Sequence, residues 1–175
     1  VTGTAFQLAA LIREAGLPEG VYTDLYLDNA STEALIGDHR IRGVSLTGST
    51  GAGRAVGAAA GKGLKKAVLE LGGSDAYLVC EDADPALAAK ACVTSRLINN
   101  GQSCIAAKRW IVCDKVYDAF WQQVQIQMDQ WTMGDPALES TKVGPLARKD
   151  LADKVQSQVQ LSLQSGGELT SVAQA

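Results

Sequence analysis

Two residues between Ala67 and Cys104 have side chains suited to covalent catalysis. Glu70 stands in Val68-Leu69-Glu70-Leu71-Gly72-Gly73, within a run that reads as a buried strand. A carboxylate stripped of water has its pKa raised toward neutrality, which suits a general base. Cys104 closes Asn100-Gly101-Gln102-Ser103-Cys104, a glycine turn expected to open a helix. Backbone N–H groups at a helix start favour the thiolate, which suits a nucleophile. Each residue has a plainer reading. Glu70 could be a strand-end carboxylate facing solvent or pairing with Lys65 or Lys66. Cys104 could be a small buried side chain, as most free cysteines are. That description fits Cys80, Cys92 and Cys113 better, because Cys104 alone has polar, glycine-flanked surroundings.

A third stretch, Thr47-Gly48-Ser49-Thr50-Gly51-Ala52-Gly53, follows a strand pattern and leads into an alanine-rich helix pattern. Free N–H groups and the helix dipole at such a turn suit a phosphate or pyrophosphate, and the Ser49 and Thr50 hydroxyls could add donors. A tight strand-to-helix turn capped by Ser49 or Thr50 explains the same residues. Short glycine patterns do not separate the two readings.

Other chemistries are excluded or disfavoured. The chain has 175 residues, a net charge of −3 and one histidine, His39. No Cys-x-x-Cys spacing occurs, so zinc is disfavoured. A Cys–His or Ser–His–Asp hydrolase would have to use His39. None of Tyr22, Tyr26, Tyr77 and Tyr117 is followed four places on by lysine, and Ala52 stands where a short-chain dehydrogenase has glycine. The charge balance and sparse aromatics argue against a nucleic-acid or membrane partner. No apolar run reaches the roughly 18 to 20 residues of a membrane span, and no leader-like stretch stands at the start. Four cysteines without disulfide-type spacing suggest a reducing, cytoplasmic setting.

The elements that must position these residues can be outlined from periodicity. Helices are expected at Thr4 to Ala15, Asn29 to Ile36 (capped by Asn29 or Ser31), Arg54 to Lys62, Asp84 to Ile98, Val116 to Trp131 and Arg148 to Gln164. Strands are expected at Val21 to Leu27, Ile41 to Leu46, Lys65 to Leu71, Ala76 to Cys80 and Trp110 to Cys113. Met133 to Leu146 reads as an irregular loop, and Glu168 to Ala175 as the start of another strand. Strand–helix alternation at this spacing predicts right-handed crossovers and a parallel sheet.

Taken together, Leu69-Glu70-Leu71-Gly72-Gly73 and Gly101-Gln102-Ser103-Cys104 resemble the two signatures of the aldehyde dehydrogenase superfamily, in order and at a similar separation. Thr47-Gly48-Ser49 resembles its cofactor turn. Asp82-Ala83-Asp84, Met133-Gly134-Asp135-Pro136 and Gly144-Pro145-Leu146 resemble further landmarks, so the likeness runs along the whole chain. Glu70-Leu71-Gly72-Gly73-Ser74-Asp75 and Ala106-Ala107-Lys108-Arg109 look nearest to the bacterial succinate-semialdehyde dehydrogenase branch, although Ser74 replaces a commoner lysine. Some members of that branch hold the distal carboxylate with an arginine six residues before the nucleophile. Here Ile98 occupies that place, and Arg96 lies two residues further back.

The resemblance implies an α/β fold of two partial domains. Residues 1–71 would be the C-terminal part of a Rossmann-like, parallel-sheet NAD(P)-binding domain, and 72–175 the N-terminal part of an α/β catalytic domain. It implies NAD or NADP as cofactor and a small aldehyde as substrate. Cys104 would form the thioester and Glu70 would activate the water that hydrolyses it. Thr47, Gly48, Ser49 and Thr50 would form the pyrophosphate turn, and the backbone at Leu71 and Gly72 would border the nicotinamide. The parent would be a cytoplasmic homo-oligomer. The family's oxyanion asparagine, ribose-binding residues and oligomerisation strands have no counterpart in the segment, so the segment alone is expected to be inactive. The alternatives are a non-catalytic structural or interaction fragment of the same fold, and an acylating enzyme that passes the acyl group to coenzyme A. Glu70 favours hydrolysis over the latter.

Overall fold

A computed structural model describes residues 2–170. The elements run α1 (Thr2–Glu14), α2 (Asn29–Gly37), β1 (Gly43–Thr47), α3 (Thr50–Lys62), β2 (Lys66–Glu70), β3 (Ala76–Val79), α4 (Pro85–Leu97), a 3-10 turn (Ile98–Gly101), β4 (Arg109–Val112), α5 (Asp114–Met128) and α6 (Lys149–Gln164). The fold is α/β with parallel strands. The chain divides into two compact units, Val1–Leu71 and Gly72–Ala175.

In the first unit β1 and β2 pair in parallel, from Gly43 opposite Lys66 to Thr47 opposite Glu70. Helix α3 makes the crossover between them. Its alanines and glycines let it lie close to the strands and to α2, and Ile36, Ala59 and Ala60 form the buried centre. Gly53 shows how close that approach is. A Cβ there would meet both Leu71 methyl carbons at 2.6 Å, so a larger residue would have to displace the Leu71 side chain. Lys65 holds the end of α2, its Nζ donating to the carbonyls of Ile36 and Asp38.

In the second unit β3 and β4 pair in parallel, from Ala76 opposite Arg109 to Val79 opposite Val112. Asp84 caps α4 by accepting from the Ala86 and Leu87 amides, with Pro85 in the first turn. Ala89, Cys92 and Val93 recur at helical spacing and pack with Val79, Phe120 and Val124. Trp110 meets Phe120 edge to face at 5.9 Å between centroids. Burial also pushes the Cys92 thiol pKa up.

Several sequence expectations need correction. Val21 to Leu27 forms no strand. Its side chains alternate suitably, but a strand exists only by pairing, and among the described residues no ladder reaches it. Helix α2 is capped by Asp28, which accepts from the Ser31 amide at 2.7 Å, rather than by Asn29 or Ser31. Helix α3 begins at Thr50, four residues before the expected start, because the glycines tolerate helical geometry once Ser49 caps them. Cys80 and Cys113 are exposed, not buried. Of the expected C-terminal strand, Glu168 to Thr170 lie in no element, and residues 171–175 lie outside the described residues.

Candidate functional site

The first unit gathers six of the candidate residues at the carboxyl end of its strand pair. Thr47 ends β1 directly opposite Glu70, the last residue of β2. The Gly48 amide then donates to the Glu70 carbonyl at 2.9 Å, carrying the ladder one step further. Ser49 caps α3, its Oγ accepting from the Ala52 amide at 3.2 Å. The amides of Thr50 and Gly51 in the first helical turn find no acceptor among the described residues. Leu71 packs on Gly53. In open α/β sheets this end of the strands is where ligands bind.

The same unit offers a place for the rest of a dinucleotide. A groove of about 350 Å³ between α2 and α3 is lined by Ile36, Ala52, Ala55, Val56, Ala59 and Lys62, among others. Its wall is mostly apolar and shares Ala52 with the phosphate-type turn. A flat ring fits such a groove while its phosphates sit at the helix start. The sequence reading missed this groove. Its signal was there in Ala52, Ala55, Ala58 and Ala59, the small residues along one side of α3.

Glu70 itself differs from expectation. It is exposed, and β2 is exposed along most of its length. Glu70 ends its strand, and α3, which packs on Leu69 and Leu71, does not cover it.

In the second unit Cys104 is not at a helix start. It lies in a tight turn, with the Ala106 amide donating to the Ser103 carbonyl at 3.2 Å, and it is exposed. No helix follows, because Arg109 to Val112 must enter β4 within a few residues. The turn is instead fixed by side chains. Lys108 Nζ donates to the Ser103 carbonyl at 2.8 Å and the Cys104 carbonyl at 3.1 Å. Gly73 approaches from the other side, where a Cβ would sit 3.1 Å from the Cys104 carbonyl oxygen. Gly72, just before it, is exposed.

Asn99, Asn100 and Gly101 precede the turn in three consecutive left-handed conformations, with φ of 54°, 57° and 73°. Asparagine and glycine tolerate that region where other residues are strained. The Asn100 carboxamide is used at both ends. Its Nδ2 donates to the Pro145 carbonyl at 3.2 Å, and its Oδ1 accepts from the Gly144 amide at 2.9 Å. Gln102 Oε1 accepts from the Ala147 amide at 3.0 Å. The Gly144-Pro145-Leu146 landmark is therefore tied to the cysteine turn across more than forty residues of sequence. Asn100→Ala should lose both bonds and strain the backbone, at about 2–3 kcal/mol. Asn100→Gly should keep the backbone conformation and cost less. Urea unfolding and amide exchange at Gly144 check this, and unchanged Gly144 protection in Asn100→Ala would refute the clamp.

Arg96 is committed to the same turn. Its Nη1 donates to the Gly101 carbonyl at 3.3 Å, and a Cβ on Gly101 would lie 2.5 Å from that nitrogen. The guanidinium is folded onto the backbone and does not stand in for an arginine at position 98. Beside the turn an open groove of about 520 Å³ runs along α4, lined by Leu87, Lys90, Ala91, Thr94, Ser95, Ile98 and Ile105.

Parallel strands joined by crossover helices, with an open helix start at the strand ends, are the arrangement of the α/β class with parallel sheets. Comparison with known proteins narrows this. A model of the aldehyde dehydrogenase family matches residues 1–173. The chain belongs to the aldehyde dehydrogenase family. It is 46% identical over 169 residues to an NAD(P)+ succinate semialdehyde dehydrogenase of Escherichia coli, a match covering 97% of this chain and 37% of that protein. An NADP(+) succinate-semialdehyde dehydrogenase of Deinococcus radiodurans is 43% identical over 171 residues, covering 98% and 36%. The crystal structure of succinic semialdehyde dehydrogenase from Streptococcus pyogenes with NADP+ superposes with a TM-score of 0.92 at 36% identity, covering 99% of this chain and 38% of that one. The chain thus spans little more than a third of the length of these relatives.

Proposed function

We propose that this segment supplies the nucleophile, the base and part of the cofactor site of an NAD(P)-dependent aldehyde dehydrogenase, acting on succinate semialdehyde as part of a longer enzyme. The observation that carries the reading is the family match along residues 1–173, which includes both the Glu70 and the Cys104 motifs. Residues 1–71 belong to the cofactor domain and 72–175 to the catalytic domain in this reading. The enzyme works in the cytoplasm as a homo-oligomer. Among the described residues no helix is long and apolar enough to cross a membrane.

In the mechanism, Ser49, Thr50 and Gly51 hold the pyrophosphate through backbone and hydroxyl donors, and the α2–α3 groove receives the flat ring beyond it. The Leu71 and Gly72 backbone borders the nicotinamide. NAD(P)+, when bound, accepts the aldehyde hydride. The Cys104 thiolate attacks the carbonyl carbon and forms a thiohemiacetal, with the Cys104 amide donating to the developing oxyanion. The loss of hydride leaves a thioester on the sulfur. Glu70 takes a proton from water, which attacks the thioester and releases the acid and the thiolate. Lys108, Asn100 and Arg96 fix the turn so that the sulfur meets the carbonyl in one geometry. The α4 groove starts at Ile105, next to the nucleophile, and its mostly apolar wall takes the aldehyde's chain. Lys90 alone in that lining offers a cation to a distal carboxylate, because the Ser95 hydroxyl is paired with Tyr77 at 2.7 Å.

Steady-state assay of the full-length enzyme tests this. Succinate semialdehyde should give reduced cofactor and succinate, with kcat/KM at least about tenfold above that of an uncharged aldehyde of equal length, the worth of one charge-assisted contact. Absence of reduced cofactor with every aldehyde would sink the catalytic reading. Equal kcat/KM for charged and uncharged aldehydes would sink only the substrate assignment.

A further inference from the structure

The β3–β4 ladder places two thiols side by side at its far end. Val79 is opposite Val112, and the Cys113 amide donates to the Val79 carbonyl at 3.0 Å, continuing the pairing past both strands. The next residues in register are Cys80 and Cys113. Both are exposed. Alternation also puts them on one face. Tyr77, Val79, Trp110 and Val112 turn toward the core, so Leu78, Cys80, Ile111 and Cys113 turn the other way. Parallel neighbours stand about 4.8 Å apart, inside the roughly 4.4–6.8 Å Cα range of disulfides.

We propose that Cys80 and Cys113 form a reversible disulfide by exchange with a small oxidised thiol. One cysteine thiolate attacks a sulfur of the small disulfide, expels one small thiolate and leaves a mixed disulfide. The second cysteine attacks the protein-bound sulfur and expels the other small thiolate. Two protein thiols lose two electrons and two protons, and the co-reactant takes them up as two thiols. Parallel neighbours hold their Cβ atoms further apart than the roughly 3.8 Å mean of disulfides, so the bond is strained and easily reduced again. The strand ends can give. Cys80 passes directly into a turn closed by the Ala83 amide, and Cys113 is the cap residue of α5 without a side-chain cap bond.

This site is separate from Cys104. Gly73, which touches the Cys104 turn, precedes β3, whereas Cys80 follows it. The modification therefore leaves Cys104 free, and it stands whether or not Cys104 is a nucleophile.

The four cysteines fall on four different tryptic peptides, 67–90, 91–96, 97–108 and 110–115. Oxidised glutathione should yield a linked pair of 67–90 with 110–115 as the main disulfide, cleaved by mild reductant. In the full-length enzyme the native thiol titre with a bulky aromatic disulfide should fall by about two on oxidation. Cys80→Ser and Cys113→Ser should each abolish the link, while Cys104→Ser should retain it. A main link through Cys104, or a titre that does not fall on oxidation, would overturn the proposal. Cys80→Ala repeats the test should the serine variant fold poorly.

Discussion

Cys104→Ala in the full-length enzyme is expected to lower kcat/KM for aldehyde by about 10⁴-fold or more, because in the proposed mechanism Cys104 forms the covalent intermediate. Each tenfold is about 1.4 kcal/mol of transition-state stabilisation. The loss should come with little change in cofactor affinity. In the proposed mechanism the pyrophosphate turn lies in the first unit, whereas Cys104 lies in the second. The paired measurement is therefore a rate and a cofactor titration on the same variant. A rate that survives would transfer the nucleophile role elsewhere. Cys80 and Cys113 are the exposed alternatives, and they lie past the far ends of β3 and β4. A rate lost together with cofactor binding would show instead that the substitution had disturbed the fold.

Glu70→Gln should give a different signature. Formation of the thioester does not need the carboxylate, so the first turnover should still yield one reduced cofactor per active site. Hydrolysis should then slow by about 10²–10⁴-fold, the usual share of a general base. Rapid mixing would show a burst followed by a slow steady rate, and acid quenching should trap acyl groups on Cys104. A first turnover slowed as much as the later ones would place Glu70 in the attack step. Glutamine keeps the length of the side chain, so the Thr47–Glu70 pairing and the Gly48 bond to the Glu70 carbonyl are unaffected.

The local grammar of the chain was legible in its residues. Asp84-Pro85 marked the start of α4, and Ser49 was legible as a cap of α3 even though the helix was expected only from Arg54, because caps act within a few residues. Parallel pairing followed from the alternation of strands with helices. What could not be read was whether a given segment finds a partner. Val21 to Leu27 has the pattern of a strand and no ladder. Glu70 has apolar neighbours in sequence and an exposed side chain in space. Burial depends on layers that short-range patterns do not encode. The helix expected at Cys104 failed for a related reason. The Lys108, Asn100 and Arg96 contacts fix the turn from outside its own sequence, and β4 claims the chain before a helix can form.

The clamp on Asn100 also bears on the chemical lifetime of the chain. Asparagine followed by glycine is the pair most prone to deamidation, in which the next amide nitrogen attacks the side-chain carbonyl and closes a succinimide. Asn100-Gly101 is such a pair. Here the carboxamide is held by Gly144 on one side and Pro145 on the other, so it is not free to turn onto the Gly101 nitrogen. The contacts that shape the cysteine turn should thus also slow its ageing, which mass spectrometry of the Asn100 peptide after prolonged incubation would check against a variant lacking the Gly144 and Pro145 contacts. Loosening them would let a new carboxylate grow four residues from the thiol, where negative charge opposes the thiolate.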